Sequence, residues 1–599
     1  MTQMRKLVFA VVLFGVLALS SCNSLKQMVK LAEQQELTVV PSPLEVHGGK
    51  VAFDMSANLP VKMLKPGKVY TINTFYQYGD SRTEVGSIEF NADDYPNAND
   101  TEPRVTESFS FDYTPDMKSG DLMIQGVAKD PRNGKTANTA EMKVAEGIIT
   151  TSLLVEDVYF TAYADHGYNN QEELIPTNVA FFFTQGSPSL RSSEIRSDRG
   201  ENLTAFIAEK NVTRSVTITG THSPEGSERV NADLSVNRAK AIETFYRRQM
   251  RKYDYKGLAD SIDFVLKDVV EDWSGFKAAI RDYDAITEAQ KKEALDIVNG
   301  TGSFEEKEDD LQRLSFYKKL FNDIYPDLRN AKTEILTVKE KKTDAEISIL
   351  AKQIANGEAP ADTLSDEELM YAATLTPSLE EKKAIYEAAT KEADTWNSHN
   401  NLGAVYLDMA AAADDQATMN SHVEAAVAQL EIAAKQKETV EVHNNLAVAN
   451  LMQGNDEKAM EHISKAASMG SSDANTTQGV NSVKAVLEIK NADYQAAISS
   501  ANAGSDVAEN HFNKGLALLL NKDYANAITA FEQAAEKKED YALANYCAAI
   551  AAVRNDKVAD AAEYMLKAVK ADPSLKQMAV NDLEFTNVSS NPAFQAALK

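Results

Sequence analysis

A chain of 599 residues with 43% hydrophobic and 25% charged residues has an ordinary globular composition, enough for about three or four domains of roughly 150 residues each. That hydrophobic content excludes wholesale disorder. The net charge of −27 argues against a nucleic-acid partner, because a polyanion is repelled at every approach.

Residues 1–21 read as a signal peptide. Arg5 and Lys6 supply the positive start, and the apolar run Leu7 to Leu19 falls short of the roughly 20 residues a membrane span needs. The following Leu19-Ser20-Ser21-Cys22 resembles the lipobox of bacterial lipoproteins. The resemblance implies that the Cys22 thiol is acylated and that Cys22 becomes the first mature residue, held in the membrane at about 0.8 kcal/mol per buried methylene. Asn23 in place of an inner-membrane Asp implies the outer membrane. The absence of an acidic cluster over 23–30 implies a periplasmic orientation, with the cell surface as the alternative. Residues 22–36 then form a lipidated tether, helical or loose. The second cysteine, Cys547, has no partner in the chain and is expected to be a buried packing thiol.

Residues 37–177 are β-rich. Leu44-Val46, Val51-Phe53, Val69-Phe75, Gly86-Phe90, Ser108-Tyr113, Leu122-Val127 and Ile148-Val155 are short β-prone runs between Pro, Gly, Asn and Asp clusters. Strands at that spacing predict a β-sandwich-like domain. The acidic, Asn-rich stretch Asn91 to Arg104 reads as a solvated loop, since it lacks the ordered spacing of a calcium loop.

Residues 178–340 read as an α+β domain. Asn178 to Phe183 is a strand, Glu201 to Lys210 a helix with Leu203, Phe206 and Ile207 on one face, and Val216 to Ile218 a second strand that stops at Gly220. Ser227 is a plausible N-cap for the next helix. On that helix Val230, Leu234, Ala241 and Phe245 form the expected core stripe, bordered by a polar edge of Asn231, Ser235 and Arg238. Ile262 to Leu266 is a third strand, Glu271 to about Asn330 a charged helical insertion, and Glu334 to Val338 a last strand. The order is β-α-β-α-β with a helical insertion.

At Gly220, Gly226, Ser227, Asn231, Leu234, Ser235, Arg238 and Ala239 this stretch resembles the OmpA-like peptidoglycan-binding domain. The resemblance implies that a loop carboxylate and the helix arginine grip the diaminopimelate of the wall's stem peptide. Arg238 falls on the family's arginine, but Ser223 stands where the family has aspartate. A serine accepts a hydrogen bond from an ammonium without the charge that strengthens it about twofold. Glu225, two residues on, is the candidate replacement. The expected peptidoglycan site is therefore Ser223, Glu225, Asn231 and Arg238, and the alternative is that Arg238 only closes a salt bridge with Glu228 or Asp233.

From about residue 341 the chain is Ala-rich and helical. Residues 341–394 include a degenerate helix pair, Ser365 to Ala393, and residues 395–599 carry an internal repeat. Gly515 and Ala549 occupy equivalent positions 34 residues apart, and Ala447 lies two such periods before Gly515. Small residues recur at Gly515, Ala527 and Ala534, then at Ala549, Ala561 and Ala568. These positions, with Leu402, Gly403 and Tyr406 in an earlier copy, resemble tetratricopeptide (TPR) repeats. The resemblance implies a solenoid of stacked hairpins whose concave face grips a protein partner. Asn400, Asn401, Asn444, Asn445, Asn513 and Asn545 lie on the first helices of their repeats, and Asn401, Asn445, Asn513 and Asn545 are the candidate partner contacts.

Catalytic patterns are missing from the sequence. The eight histidines are scattered, and no His-Glu-x-x-His, P-loop, Gly-x-Ser-x-Gly or Cys-His pair occurs. Acidic pairs arise by chance among 89 carboxylates. The reading is a non-enzymatic outer-membrane lipoprotein without cofactor or metal, tethered to peptidoglycan and recruiting proteins through its repeats. An alternative is an envelope assembly, secretion or appendage-associated scaffold that no longer binds the wall. A weaker one is a wall hydrolase.

Overall fold

The computed structural model describes residues 24–253, 255, 262–269 and 273–599. Cys22 and residues 1–21 lie outside the described residues. The chain forms two compact units, one of Met1–Tyr168 with Asp344–Lys599 and the other of Asn169–Thr343. The β-rich front and the helical repeats, expected as separate domains, thus belong to one unit.

The front of that first unit is a β-sandwich. Its strands β1 (Glu36–Val40), β2 (Leu44–His47), β3 (Lys50–Asn58), β6 (Arg104–Asp112) and β10 (Ile148–Ile149) make one sheet; β4 (Val69–Tyr78), β5 (Ser81–Asn91), β7 (Asp121–Lys129), β8 (Thr136–Asn138) and β9 (Met142–Glu146) make the other. Strict alternation sets the faces: in β3, Val51, Phe53, Met55 and Ala57 are buried and the residues between them are not. Both sheets contribute to one core that includes Leu44, Phe53, Tyr70, Ile72, Phe90 and Leu122. The tether takes its helical form over residues 24–32, and Leu25, Met28 and Ala32 enter the same core.

One expected strand is corrected. Ile148-Val155 is reduced to the two-residue β10, which is followed by a 3-10 turn at Thr151–Leu154. Residues 155–168 are neither strand nor helix. Val155, Val158, Tyr159 and Phe160 satisfy their apolar surface against helices of the repeats instead of a sheet.

The second unit carries a four-stranded sheet in the order β11 (Leu174–Phe182), β14 (Asn330–Val338), β12 (Thr213–Gly220), β13 (Asp263–Asp268). β12 and β13 are parallel and the other pairs antiparallel. The first strand begins at Leu174, earlier than the boundary expected at 178. Helices α1 (Asp198–Ala208) and α2 (Glu228–Lys252) pack on the sheet over Phe181, Leu203, Ile218, Ile242 and Phe245. The insertion between β13 and β14 has its own core, where Trp273 stacks on Phe304 at 4.6 Å.

Five helical hairpins follow among the described residues: α3 (Trp396–Ala411) with α4 (Gln416–Gln436), α5 (Val440–Met452) with α6 (Asp456–Met469), α7 (Ala474–Lys490) with α8 (Tyr494–Asn502), α9 (Ala508–Leu520) with α10 (Tyr524–Lys537), and α11 (Ala542–Arg554) with α12 (Val558–Ala571). The small residues of the repeat sit where paired helices cross, and Ala527, Ala534, Ala549, Ala561 and Ala568 are all fully buried. The Ala-rich insertion lengthens the first hairpin, whose α4 has 21 residues, and the short third copy leaves α8 with 9. Phe585 and Phe594, beyond the last hairpin, join the core of the final repeats. Buried Glu584 fastens the sandwich to this end of the solenoid. It accepts from Thr151 and from Arg554, whose guanidinium also reaches Glu45 at 3.0 Å. Cys547 is fully buried in α11, and burial pushes its thiol well above the usual range.

Candidate functional site

Among the first helices of the repeats, α3, α5 and α9 place Asn401, Asn445 and Asn513 on one shared face, each two residues before the small residue Gly403, Ala447 or Gly515, whereas Asn545 of α11 stands four before Ala549. Amphipathicity alone would put asparagine in water there. Instead Asn400, Asn444 and Asn445 are fully buried, and Asn401 and Asn513 are each 1% exposed. What buries them is the chain's own segment 155–168, a strap across the groove.

The contacts are with main chain. Asn445 accepts from the Ala162 N–H at 2.8 Å and donates to the Ala162 carbonyl at 2.8 Å. Asn401 does the same for Ala164, at 2.6 and 3.0 Å, and Asn513 for Glu156, at 3.0 and 2.8 Å. Asn400 donates to the Ala162 carbonyl and Asn444 to that of Phe160. An amide side chain is the one group that supplies both a donor and an acceptor at the spacing of a peptide unit. Glu156, Ala162 and Ala164 of the strap thus have both main-chain groups paired although they lie outside a sheet.

Side chains set the register. Phe160 lies against α7 at Gly479, where an added Cβ would fall 2.2 Å from the ring. Ala162 and Ala164 are 1% and 6% exposed. Thr161 and Tyr163 both donate to Asp408, and burial, with the Asp408 charge second, raises the Tyr163 phenol. Lys490 pairs with Asp157 at 2.9 Å and Tyr541 donates to Glu156. Tyr168 stacks on Tyr371 at 4.8 Å. The strap thus runs antiparallel to the order of the repeats. Of the four predicted contacts, Asn401, Asn445 and Asn513 hold it. Asn545 is half-buried and donates only to the Tyr541 carbonyl, one turn back on its own helix.

The expected wall site in the second unit has a different arrangement. Arg238 is 1% exposed, and its guanidinium donates to the carbonyls of Thr221, Ser187 and Thr184 at 2.7, 3.3 and 3.3 Å. It closes no salt bridge with Glu228 or Asp233. Burial, and then the neighbouring Arg329, pull its pKa down to about 10. Glu225 pairs with Arg329 at 2.9 Å, and Arg329 also donates to Ser223 at 3.0 Å. Asn231 donates to the Gly226 carbonyl. All four residues are brought together; the loop and the insertion's end take the Arg238 guanidinium, the Ser223 hydroxyl and Glu225 Oε1, while the buried Glu225 Oε2 has no hydrogen-bond partner.

The face of α2 also differs from expectation. Val230 is 48% exposed, whereas Asn231, Ser235 and Arg238 are buried. The cause is close backbone contact between α2 and β12: an added Cβ on Gly220 would lie 1.9 Å from the Ser235 carbonyl oxygen. Such an approach admits only small residues at the crossing, and the polar edge is drawn inside. Sequence reasoning missed Arg329, which stands outside the motif just before β14. It also missed the strap, whose aromatic and alanine alternation reads as the tail of the β-rich domain.

Residues 410–474, 484–542 and 512–576 match the family model for tetratricopeptide repeats, so the C-terminal part of the chain carries TPR repeats and is of the kind that forms protein-interaction scaffolds. No curated protein sequence matches the chain. Among solved structures it is similar to the C-terminal part of a TPR repeat-containing protein from Cytophaga hutchinsonii, at 13% identity over 39% of this chain and 92% of that one, with a TM-score of 0.28. It is also similar to pilF of Pseudomonas aeruginosa, at 14% identity over 41% and 99% with a TM-score of 0.30, and to MamA of Desulfovibrio magneticus RS-1, at 18% identity over 29% and 96% with a TM-score of 0.25.

Proposed function

We propose that the chain is a non-enzymatic scaffold of the bacterial envelope, anchored in the outer membrane through acylated Cys22 and facing the periplasm, that acts by binding proteins with its repeats. In this reading the α+β unit keeps the strand, loop and helix of a wall-binding module without gripping the stem peptide. The observation that carries it is the state of Arg238, which is buried and shared among three backbone carbonyls, while the only loop carboxylate near it, Glu225, is paired with Arg329. Exchanging those partners for a diaminopimelate takes a charged donor from three partly buried carbonyls, a cost of about 1 kcal/mol each.

The tether reading needs Arg238 to leave its present partners and a ligand ammonium to reach the unbonded Glu225 Oε2 beside Arg329. A pull-down on purified cell-wall sacculi separates the two. The scaffold reading expects no retention at physiological salt. Retention that Glu225→Gln abolishes in a folded chain restores the tether. The anchor is tested separately: Cys22→Ser is expected to move the protein from the membrane fraction to the soluble one.

A further inference from the structure

The strap is held through its backbone, and backbone contacts are blind to sequence; the seats for alternate side chains supply the selectivity. Those seats are an aromatic one at Gly479 and two small ones at the buried Ala162 and Ala164. Asp408 adds a hydroxyl acceptor between them.

Two features show that the strap is a guest of the groove rather than part of its frame. No strand of either sandwich sheet includes residues 155–168, and the fully buried core of each group of hairpins is made of repeat residues, with Val155, Val158, Tyr159 and Phe160 of the strap packed only partly buried against it. The fit is also incomplete: Asn444 is fully buried and its Oδ1 has no hydrogen-bond partner, although its Nδ2 reaches the Phe160 carbonyl. A ladder built for the strap alone would not leave a buried acceptor empty at its centre.

We propose that the groove is a receptor for an extended segment of another protein that carries an aromatic residue followed at two and four positions by small residues, and that residues 155–168 occupy it until such a segment displaces them. This deepens the scaffold reading and rests on it. The strap is joined to the groove's own chain, so its effective concentration is on the order of millimolar. A free peptide of equal, micromolar affinity is therefore suppressed roughly a thousandfold. Weakening the strap alone raises apparent affinity for the same segment supplied in trans.

The probe is a fluorescein-labelled peptide with the sequence of residues 153–168, titrated into the full-length chain and followed by anisotropy, with a scrambled peptide as control. Phe160→Ser in the protein is expected to tighten uptake at least about tenfold over the unaltered chain. Adding Asn401→Ala and Asn445→Ala to that variant is expected to remove the gain. A folded Phe160→Ser chain that takes up the peptide no better than the unaltered one overturns the proposal. Should that variant fail to fold, a protease site placed across exposed Asp165 and Gly167 and cut in the folded chain serves instead: uptake that rises on cutting supports displacement, and unchanged uptake overturns it. A scaffold that engages its partner through another face survives either negative result, whereas the strap as competitor does not.

Discussion

The groove of the solenoid and the edge of α2 are both rows of polar side chains on a helical surface, and both are buried, yet they are buried by different things. Asn401, Asn445 and Asn513 are covered by a segment that contributes no strand and no helix to the fold. Arg238 and Glu225 are covered by the loops and the insertion of their own domain, and are bonded to the Thr221 carbonyl and to Arg329 within it. A buried polar row therefore marks a binding face only where its partner is separable. In the other case the same residue types are internal bracing.

The comparison can be broken most sharply at Arg238. Arg238→Ala removes a buried guanidinium and the charged donor of three partly buried carbonyls and is expected to cost on the order of 2–3 kcal/mol, read as an earlier urea transition of the α+β unit. A change below about 0.5 kcal/mol would mean the guanidinium is free for a ligand.

The groove side is sharpened by two asparagines on the first helices of their repeats, one in the ladder and one outside it. Asn445→Ala strands the N–H of Ala162, whose carbonyl keeps its bond from Asn400, and is expected to cost about 1–2 kcal/mol, while Asn545→Ala, whose amide donates to the Tyr541 carbonyl one turn back, stays within about 0.5 kcal/mol. Equal effects in thermal melts would erase the distinction between ladder and bystander.

The smallest effect concerns the pair beside the ladder. His443 and His462 face each other across α5 and α6, with their Nδ1 atoms 3.1 Å apart, a spacing that accommodates one proton between them. Burial lowers both; His462 is lowered further by His443 and Lys465, while Glu461 raises it, and for His443 Glu438 and Glu461 raise and Lys465 lowers. A lowered folded value means that this stability is present above the unfolded pKa of about 6.5 and is lost as pH falls through the folded values below it. The melting temperature is thus expected to decline between pH 7 and pH 5.5, and His443→Gln to flatten that decline.

Much of the architecture was legible in the residues. The repeat at Gly515 and Ala549 located the hairpins because each copy must place small residues where helices cross, a local demand written at fixed intervals. The sandwich strands were legible because alternation in stretches such as Lys50–Asn58 reports a half-buried sheet. Asn401, Asn445 and Asn513 stood out because their position recurs, Asn545 falls outside that position and outside the ladder, and nothing local identifies the segment they hold: Ala162 and Asn445 are 283 residues apart. Ile148–Val155 was misread for a related reason. β-prone residues seek any apolar surface, and here the helices offered it. The polar edge of α2 was legible in composition and not in burial, because the approach of Gly220 to Ser235 is a tertiary fact.

The account turns on the asparagine ladder holding a separable strap, and amide hydrogen exchange resolved to the Ala162 and Ala164 N–H groups tests that most directly. Both amides are expected to be protected in the unaltered chain and to exchange at least about tenfold faster in Asn401→Ala with Asn445→Ala, while amides of α2 keep their rates. Strap amides that exchange at the same rate with and without the two asparagines would contradict it.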